Sequence, residues 1–357
     1  MTNRYIPFLK LKSSEILAIK ELSDELKENF VPFFDFPRQK KNTQLAFKST
    51  TEKMVRSMSS HLKENFNFYL DNFDIDSILE IDSINNYAYL LKSFSEFNVI
   101  PVVSIDRCAE HLAAVVDAKS SGELSSVVFA LRLVPEDFAS YDAVADEISD
   151  ALIEIFALFD SVDLIFDCRV CLGQDLKQLK INIVEFANDF SKDYPLRKLI
   201  VAGSSIPASI RDVAGAESEV ELTRPELKIY KSVEKEIGQI YDVVLGDYAT
   251  VSPFYSELDI MPEIMQNVTA PKIIYSFDDQ HYIIRGGALK THQRGFAQYF
   301  DLAAVLVSKN FYRSAEYSFG DHYLSEKSLG IGKNVTPSSI VKPTLNAHIS
   351  YMLKDFF

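Results

Sequence analysis

The sequence predicts an α/β fold, a (β/α)8 barrel of the TIM-barrel type that carries a β-hairpin insertion and a C-terminal extension. Three observations predict it. Eight short apolar runs rich in Val, Ile and Phe recur along the chain; stretches of helical periodicity fill the intervals; and a polar residue closes nearly every run. Strands buried on both faces of a parallel sheet read as near-continuous apolar runs. Eight of them, each followed by a helix, favour closure into a barrel, with a doubly wound open sheet as the competing arrangement.

The first run is Tyr5–Lys10. It is followed by a helix over Ser14–Glu28, whose Ile16, Ile19, Leu22 and Leu26 form one stripe and whose N-cap is Ser13 or Ser14. The second run, Val31–Phe36, precedes a long insertion, Pro37–Asn65, with a helix around Met54–Lys63. Then come the runs Phe66–Asn72, Val99–Asp106, Ser126–Leu133, Val162–Cys168, Lys198–Ser204 and Tyr241–Asp247. Helical stripes run through Ile84–Phe97, Ala109–Ala118, Ala143–Phe159 and Leu176–Phe190. A second insertion, residues 251–295, holds a hairpin over Pro271–Ile284 that turns at Asp278-Asp279. Phe296–Tyr312 is expected to be the eighth barrel helix, which closes the barrel domain at residue 312. Residues 313–357 form an extension packed on the barrel. The glycines and prolines from Ser314 onward predict irregular structure and short strands there, ending in a short helix near His348–Phe357.

With 357 residues, 47% of them hydrophobic, the chain can bury a large core, and 25% charged residues without low-complexity tracts exclude extensive disorder. A net charge of −14, with no basic block longer than Gln39-Lys40-Lys41, disfavours general nucleic-acid binding and anionic membranes. No apolar run reaches the roughly 20 residues of a membrane span, and residues 1–12 lack the features of a secretion signal, so a cytoplasmic protein is expected. Cys108, Cys168 and Cys171 are too few and too unevenly placed for a disulfide framework; reduced thiols are expected.

Chemistry is expected where the strand ends converge. Lys10, Asp35, Asp71, Asp106, Arg132, Asp167, Ser204 and Asp247 close the eight predicted strands, and in a closed barrel these ends meet at one mouth. Side-chain alternation lets Phe8/Lys10, Phe33/Asp35, Tyr69/Asp71, Ser104/Asp106, Ala130/Arg132, Ile165/Asp167 and Leu245/Asp247 share an inward phase. Asp35, Asp106, Asp167 and Asp247 are the candidate catalytic groups, as acids, bases or ligands of a divalent metal. Lys10, Asp71, Arg132, Ser204 and Arg285 are the candidate ligand-binding groups, with the cations receiving a phosphate or carboxylate. The bland alternative is that each Asp caps the next helix or makes a turn, while Lys10 and Arg132 neutralise the carboxylates. Cys168-Arg169-Val170-Cys171 has redox and zinc spacing but no second pair, so buried structural thiols explain it as well. The glycine-flanked basic loop Arg285–Gly295, with His292 and Arg294, reads either as an anion cradle or as a connector. The hairpin is expected to fold over the mouth and bring Arg285 toward the carboxylates, where pairing with Asp247 is the safer expectation.

The runs Tyr5-Ile6-Pro7-Phe8-Leu9-Lys10-Leu11-Lys12, Gly246-Asp247-Tyr248-Ala249 and Tyr282-Ile283-Ile284-Arg285-Gly286, in this order, resemble the Beta protein family, as does Asn346-Ala347-His348 in the tail. The resemblance spans essentially the whole chain. It implies a barrel-like architecture and a connection with phage–host conflict, and it implies no reaction. Two classes of function follow. One is a barrel that binds or hydrolyses a phosphorylated or other anionic small molecule, as a metal-assisted hydrolase or lyase. The other is a non-catalytic sensor or partner subunit whose insertions contact a protein partner.

Overall fold

The structure, a computed structural model, describes residues 4–28, 30–39, 43–63, 66–255 and 269–357. Parts of both predicted insertions, and Lys40 and Lys41 of the basic block, lie outside the described residues. The chain divides into two compact units. One comprises Met1–Ile16, Phe30–Gly203 and Glu226–Asp247; the other comprises Leu17–Asn29, Ser204–Pro225 and Tyr248–Phe357.

The first unit is the barrel. Its strands are β1 (Tyr5–Lys10), β2 (Phe33–Asp35), β3 (Asn67–Asp71), β6 (Asn98–Val103), β7 (Val128–Leu133), β8 (Ser161–Val170), β9 (Leu196–Ser204) and β11 (Val243–Asp247). A short antiparallel pair, β4 (Glu80–Ile81) and β5 (Ile84–Asn85), sits in the loop after β3. The eight barrel strands close in chain order, each beside its predecessor and β11 beside β1. This order, with helices between successive strands, is that of a (β/α)8 barrel. The helices of this unit after β2 are Gln44–His61, Asn86–Ser93, Ala109–Ser120, Tyr141–Leu158, Leu176–Asp193 and Pro225–Ile237.

Aromatic rings fill the barrel beneath its mouth. Phe8 stacks on Phe33 at 4.2 Å between centroids, and Phe33 on Tyr69 at 6.0 Å. One layer lower in β8, Asp163 is fully buried; it accepts from the Tyr69 hydroxyl (2.7 Å) and from Arg197 Nε (2.9 Å). Arg197 and Asp163 stand near the starts of their strands, at the barrel end opposite the mouth, where side chains serve stability.

Several boundaries differ from the sequence reading, each for a local reason. β6 stops at Val103, because Ile105 and Asp106 form a turn before the helix at Ala109. The helix expected over Ser14–Glu28 is two, Ser13–Lys20 and Asp24–Glu28. In the first insertion the helix starts at Gln44 instead of Met54, since the Thr43 side chain accepts from Ala46 N (3.3 Å) and caps it early.

The second unit is built on an antiparallel sheet of order β10 (Ser218–Thr223), β13 (Gln280–Arg285), β12 (Lys272–Phe277). The hairpin turns at Asp278-Asp279 as expected, with Asp278 at φ 41°. β10 was not foreseen, although its alternation of Val220 and Leu222 with Glu219 and Glu221 is the period of a half-exposed strand. Phe296–Tyr312, expected as the eighth barrel helix, holds the helix Gln298–Val307, whose Tyr299, Leu302, Ala303 and Leu306 pack with Ile273, Tyr275, Tyr282 and Ile284 of the hairpin. The tail is helical, Phe319–Ser328 and Val341–Lys354, and contradicts the expected short strands. Gly320 and Pro343 mark close packing instead of turns: a Cβ on Gly320 would meet Pro343 O at 2.1 Å, and Pro343 lies in a first helical turn, where a missing N–H is tolerated. Asn346 accepts from Gly320 N (2.9 Å) and donates to Ala18 O (3.0 Å), and His348 contacts Ser276 Oγ (2.5 Å); the Asn346-Ala347-His348 motif ties this unit together.

Among the described residues, no helix is long and apolar enough to cross a membrane.

Gly246 provides a test of the barrel interior. A Cβ there would stand 2.7 Å from Phe8 Cε2 and 2.8 Å from Ala202 Cβ. Gly246→Ala should lower stability by about 1–3 kcal/mol, read from urea denaturation; an unchanged midpoint would contradict this packing.

Candidate functional site

The register of the first three strands sets the site. Lys10 pairs with Asp35, and Asp35 with Asp71, so the three side chains form one row at the C-terminal ends of β1, β2 and β3. Arg132 on β7 is level with Ile165 on β8, and Asp167 stands two residues further on the same face. Arg132 is completely buried and reaches three carboxylates: Nη1 donates to Asp35 Oδ1 (2.8 Å) and Asp71 Oδ2 (2.7 Å), and Nη2 and Nε donate to Asp167 Oδ2 (2.7 and 3.1 Å). One guanidinium fork therefore ties β2, β3 and β8 to β7 across the barrel.

A second layer of charge surrounds this core. Lys10 Nζ lies 3.1 Å from Asp35 Oδ2 and 2.5 Å from Asp74 Oδ2. Arg107 Nη2 donates to both oxygens of Asp71 (2.9 and 3.2 Å), and its side chain keeps 11% of its exposure. Arg169 reaches Asp167 Oδ2 with Nη1 (3.4 Å) and Asp167 Oδ1 with its backbone N–H (3.0 Å). Its φ of 53° is a left-handed conformation that a non-glycine residue holds at a cost, a feature concentrated at functional sites. The guanidinium carbons of Arg132, Arg169 and Arg107 lie 4.4, 4.6 and 5.2 Å from the centre of the half-buried Phe73 ring, in cation–π range.

Burial and these cations divide the carboxyl groups. At Asp35 burial opposes ionisation, but Arg132, Lys10 and Arg169 outweigh it and hold the carboxyl well below the usual carboxylate range. At Asp71 burial prevails over Arg107 and Arg132, with the Asp35 charge adding to it, and the pKa is raised. Glu15, in the first turn after β1, is pushed up to about 7 by burial, against the pull of Lys12 and Lys10. Three buried polar atoms on segments leaving these strands lack a hydrogen-bond partner: Glu15 Oε2, Asn72 Oδ1 and Arg107 Nε. Unsatisfied buried groups of this kind mark strain, catalysis or an absent ligand.

Of the residues expected at the mouth, Lys10, Asp35, Asp71, Arg132 and Asp167 come together. Asp106 does not: it is half exposed in the turn after β6, and Asp106 Oδ1 stands 3.7 Å from Arg107 Nε. Asp247 is in register with Pro7 and Gly246 with Ile6, so Asp247 lies in the phase opposite to Lys10 and accepts from the Tyr5 hydroxyl (2.7 Å). Gly246 occupies the inward position and has no side chain to reveal the phase. Ser204 Oγ accepts from Ile206 N (3.0 Å), which is a turn role. Arg285, on β13 of the second unit, donates to Ala214 O (2.7 Å).

The carboxylates do not suit a metal. Asp35, Asp71 and Asp167 all direct oxygens at Arg132, which fills the position where a cation would be held, and among the described residues no group of three His, Cys, Asp or Glu side chains could hold a metal ion. Cys168 and Cys171 are buried thiols, with Gly203 so close that a Cβ there would meet Cys171 Sγ at 2.6 Å. Sequence reasoning missed Arg107, Arg169, Phe73, Asp74 and Glu15. All but Glu15 lie within three residues of a strand-end aspartate already singled out, so a wider window around each strand end would have found them.

The fold and site define a closed parallel α/β barrel with a salt-bridged, cation-lined mouth. The sequence profile of the Beta protein family matches residues 5–354, and the chain belongs to this family. Neither the curated proteins nor the solved structures contain a match to it.

Glu15 gives a test with a definite sign. Its folded pKa of about 7 exceeds the ordinary 4.5, so the folded chain holds this proton more tightly than the unfolded one. Stability falls as pH rises from about 4.5 to about 7 and stays lowered above that. Glu15→Gln should match the wild type near pH 5 and exceed it at pH 8 by up to ~3 kcal/mol. Urea denaturation at both pH values measures this; a difference that does not change with pH would contradict it.

Proposed function

We propose that the barrel mouth binds a small anionic ligand, a phosphorylated molecule above all, through Lys10, Arg107 and Arg169 around Phe73, with Arg132 buried behind them. The observation that carries this reading is the gathering of three guanidinium groups within 5.2 Å of one half-buried ring at the mouth of a closed barrel. Arg132 is committed to three aspartates and serves as the support. Lys10, Arg107 and Arg169 keep 8%, 11% and 8% of their side-chain exposure, and Asp74, with 15% of its side chain exposed, is the carboxylate an incoming anion would displace from Lys10. Guanidinium forks suit phosphate geometry, and a water-poor mouth strengthens each contact.

Hydrolysis or lyase chemistry at this site would use the separated proton affinities of its carboxyl groups. Asp35 stays ionised, while Asp71 and Glu15 are raised by burial, and environments that push pKa values apart assign acid and base roles. We place this activity in the cytoplasm.

A sensor or partner subunit in phage–host conflict is the second reading. It is favoured by Leu45 and Ile78, 80% and 83% exposed on the helix Gln44–His61 and in the loop after β3. Titration of inorganic phosphate and sugar phosphates by calorimetry separates the two. The ligand reading predicts binding that weakens about tenfold or more in Arg107→Ala and in Arg169→Ala, with unchanged circular dichroism. Equal affinity in wild type and both variants, or no binding by any, would remove the mouth as a ligand site and leave the contact surface.

A further inference from the structure

We propose that Arg285 and Lys272, side by side on the sheet of the second unit, form a separate site for the phosphoryl group of a small ligand. Pairing puts Ser218, Arg285 and Lys272 in one row across β10, β13 and β12. Register partners in an antiparallel sheet share a face, so the two cations are direct cross-strand neighbours, an arrangement that destabilises a sheet unless something lies between the charges. Arg285 is only 7% exposed. Its guanidinium donates to one carbonyl, Ala214 O at 2.7 Å, and no carboxylate lies within 4.0 Å of Arg285 or Lys272 among the described residues.

The surroundings increase the positive field. Burial disfavours the charge on Arg285, and Arg211, from the turn Ile210–Asp212, disfavours it further; Lys272 is disfavoured by burial and then by Arg285 itself. Cations taken out of water with no carboxylate among the described residues beside them are costly, and out of place in a chain of net charge −14. A cavity of about 250 Å³ opens at this end of the sheet; Ser218, Arg285, Gly286 and His292 contribute to its wall together with Ile284, Gln298 and Leu302, while Lys272 is the cross-strand neighbour of Arg285 outside that wall. The carboxylates that share this wall have partners: Asp301 holds Arg294 (2.7 and 2.9 Å), Glu219 holds Lys309 (2.5 Å) and the Tyr282 hydroxyl (2.7 Å), and Glu217 is 3.7 Å from His292.

The charge count selects the ligand. A phosphoryl dianion neutralises both cations, with the fork on two of its oxygens and the ammonium on a third, whereas a monocarboxylate leaves one cation unmatched.

The test uses the full chain carrying Arg107→Ala and Arg169→Ala, so that the mouth contributes little and the two sites fail independently. Inorganic phosphate at pH 8 is the probe, with acetate and sodium chloride at matched ionic strength as controls, followed by thermal denaturation and calorimetry. Phosphate, but neither control, should raise the melting temperature and bind once per chain. Adding Lys272→Met should weaken phosphate about tenfold or more while leaving the phosphate-free melting temperature unchanged or higher, because the like-charge contact is gone. Lys272→Arg should retain binding. No phosphate-specific stabilisation in the parent, or undiminished binding in Lys272→Met, would overturn the site.

Discussion

The barrel depends on one buried guanidinium. Arg132 stands with no exposure among Asp35, Asp71 and Asp167, three carboxylates that could not be buried together without it. Charges taken out of water are costly, and their attraction compensates only when the geometry is good and the remaining hydrogen bonds are made. Here Arg132 makes four hydrogen bonds to them, Arg107 and Lys10 take further oxygens, and the backbone N–H groups of Asn72 and Arg169 take others. Each strand end is thereby fixed relative to the next, which sets the shape of the mouth.

This core also explains the division of labour around it. Groups facing Arg132 are saturated and held in place. Those one layer out, Lys10, Arg107 and Arg169 with Phe73 among them, keep some exposure, and Arg107 Nε has no hydrogen-bond partner. A rigid polar base under an adaptable cationic rim is the arrangement a binding site needs, since its side chains must be positioned before the ligand arrives. The same chain carries a second concentration of positive charge on a different sheet, at Arg285 and Lys272, where no carboxylate among the described residues lies within 4.0 Å.

Much of this was legible in the sequence. Eight apolar runs located the eight strands, because parallel strands buried on both faces leave a continuous signal, and the polar residues ending five of them, Lys10, Asp35, Asp71, Arg132 and Asp167, do converge. The losses have physical causes. Asp106 was assigned to a strand that ends three residues earlier, because Ser104 and the turn residue Ile105 continue its pattern. Asp247 was placed in the wrong phase because its inward neighbour is Gly246, which gives no sign of direction. Arg107 and Phe73 lie in loops, where periodicity carries no information, and Arg169, near the end of β8, was hidden between two cysteines that drew a redox reading. In the tail, Gly320 and Pro343 read as helix breakers, yet one permits helices to touch and the other opens a helix.

The dependence of the fold on Arg132 is open to direct measurement by denaturant unfolding of two variants. Arg132→Met alone leaves three buried aspartates without their common partner and should cost about 4 kcal/mol or more, or prevent folding. Combining it with Asp35→Asn, Asp71→Asn and Asp167→Asn removes the uncompensated charge and should recover a large part of that loss. A single variant as stable as the wild type, or a combined variant no more stable than the single one, would contradict the central role given to this guanidinium.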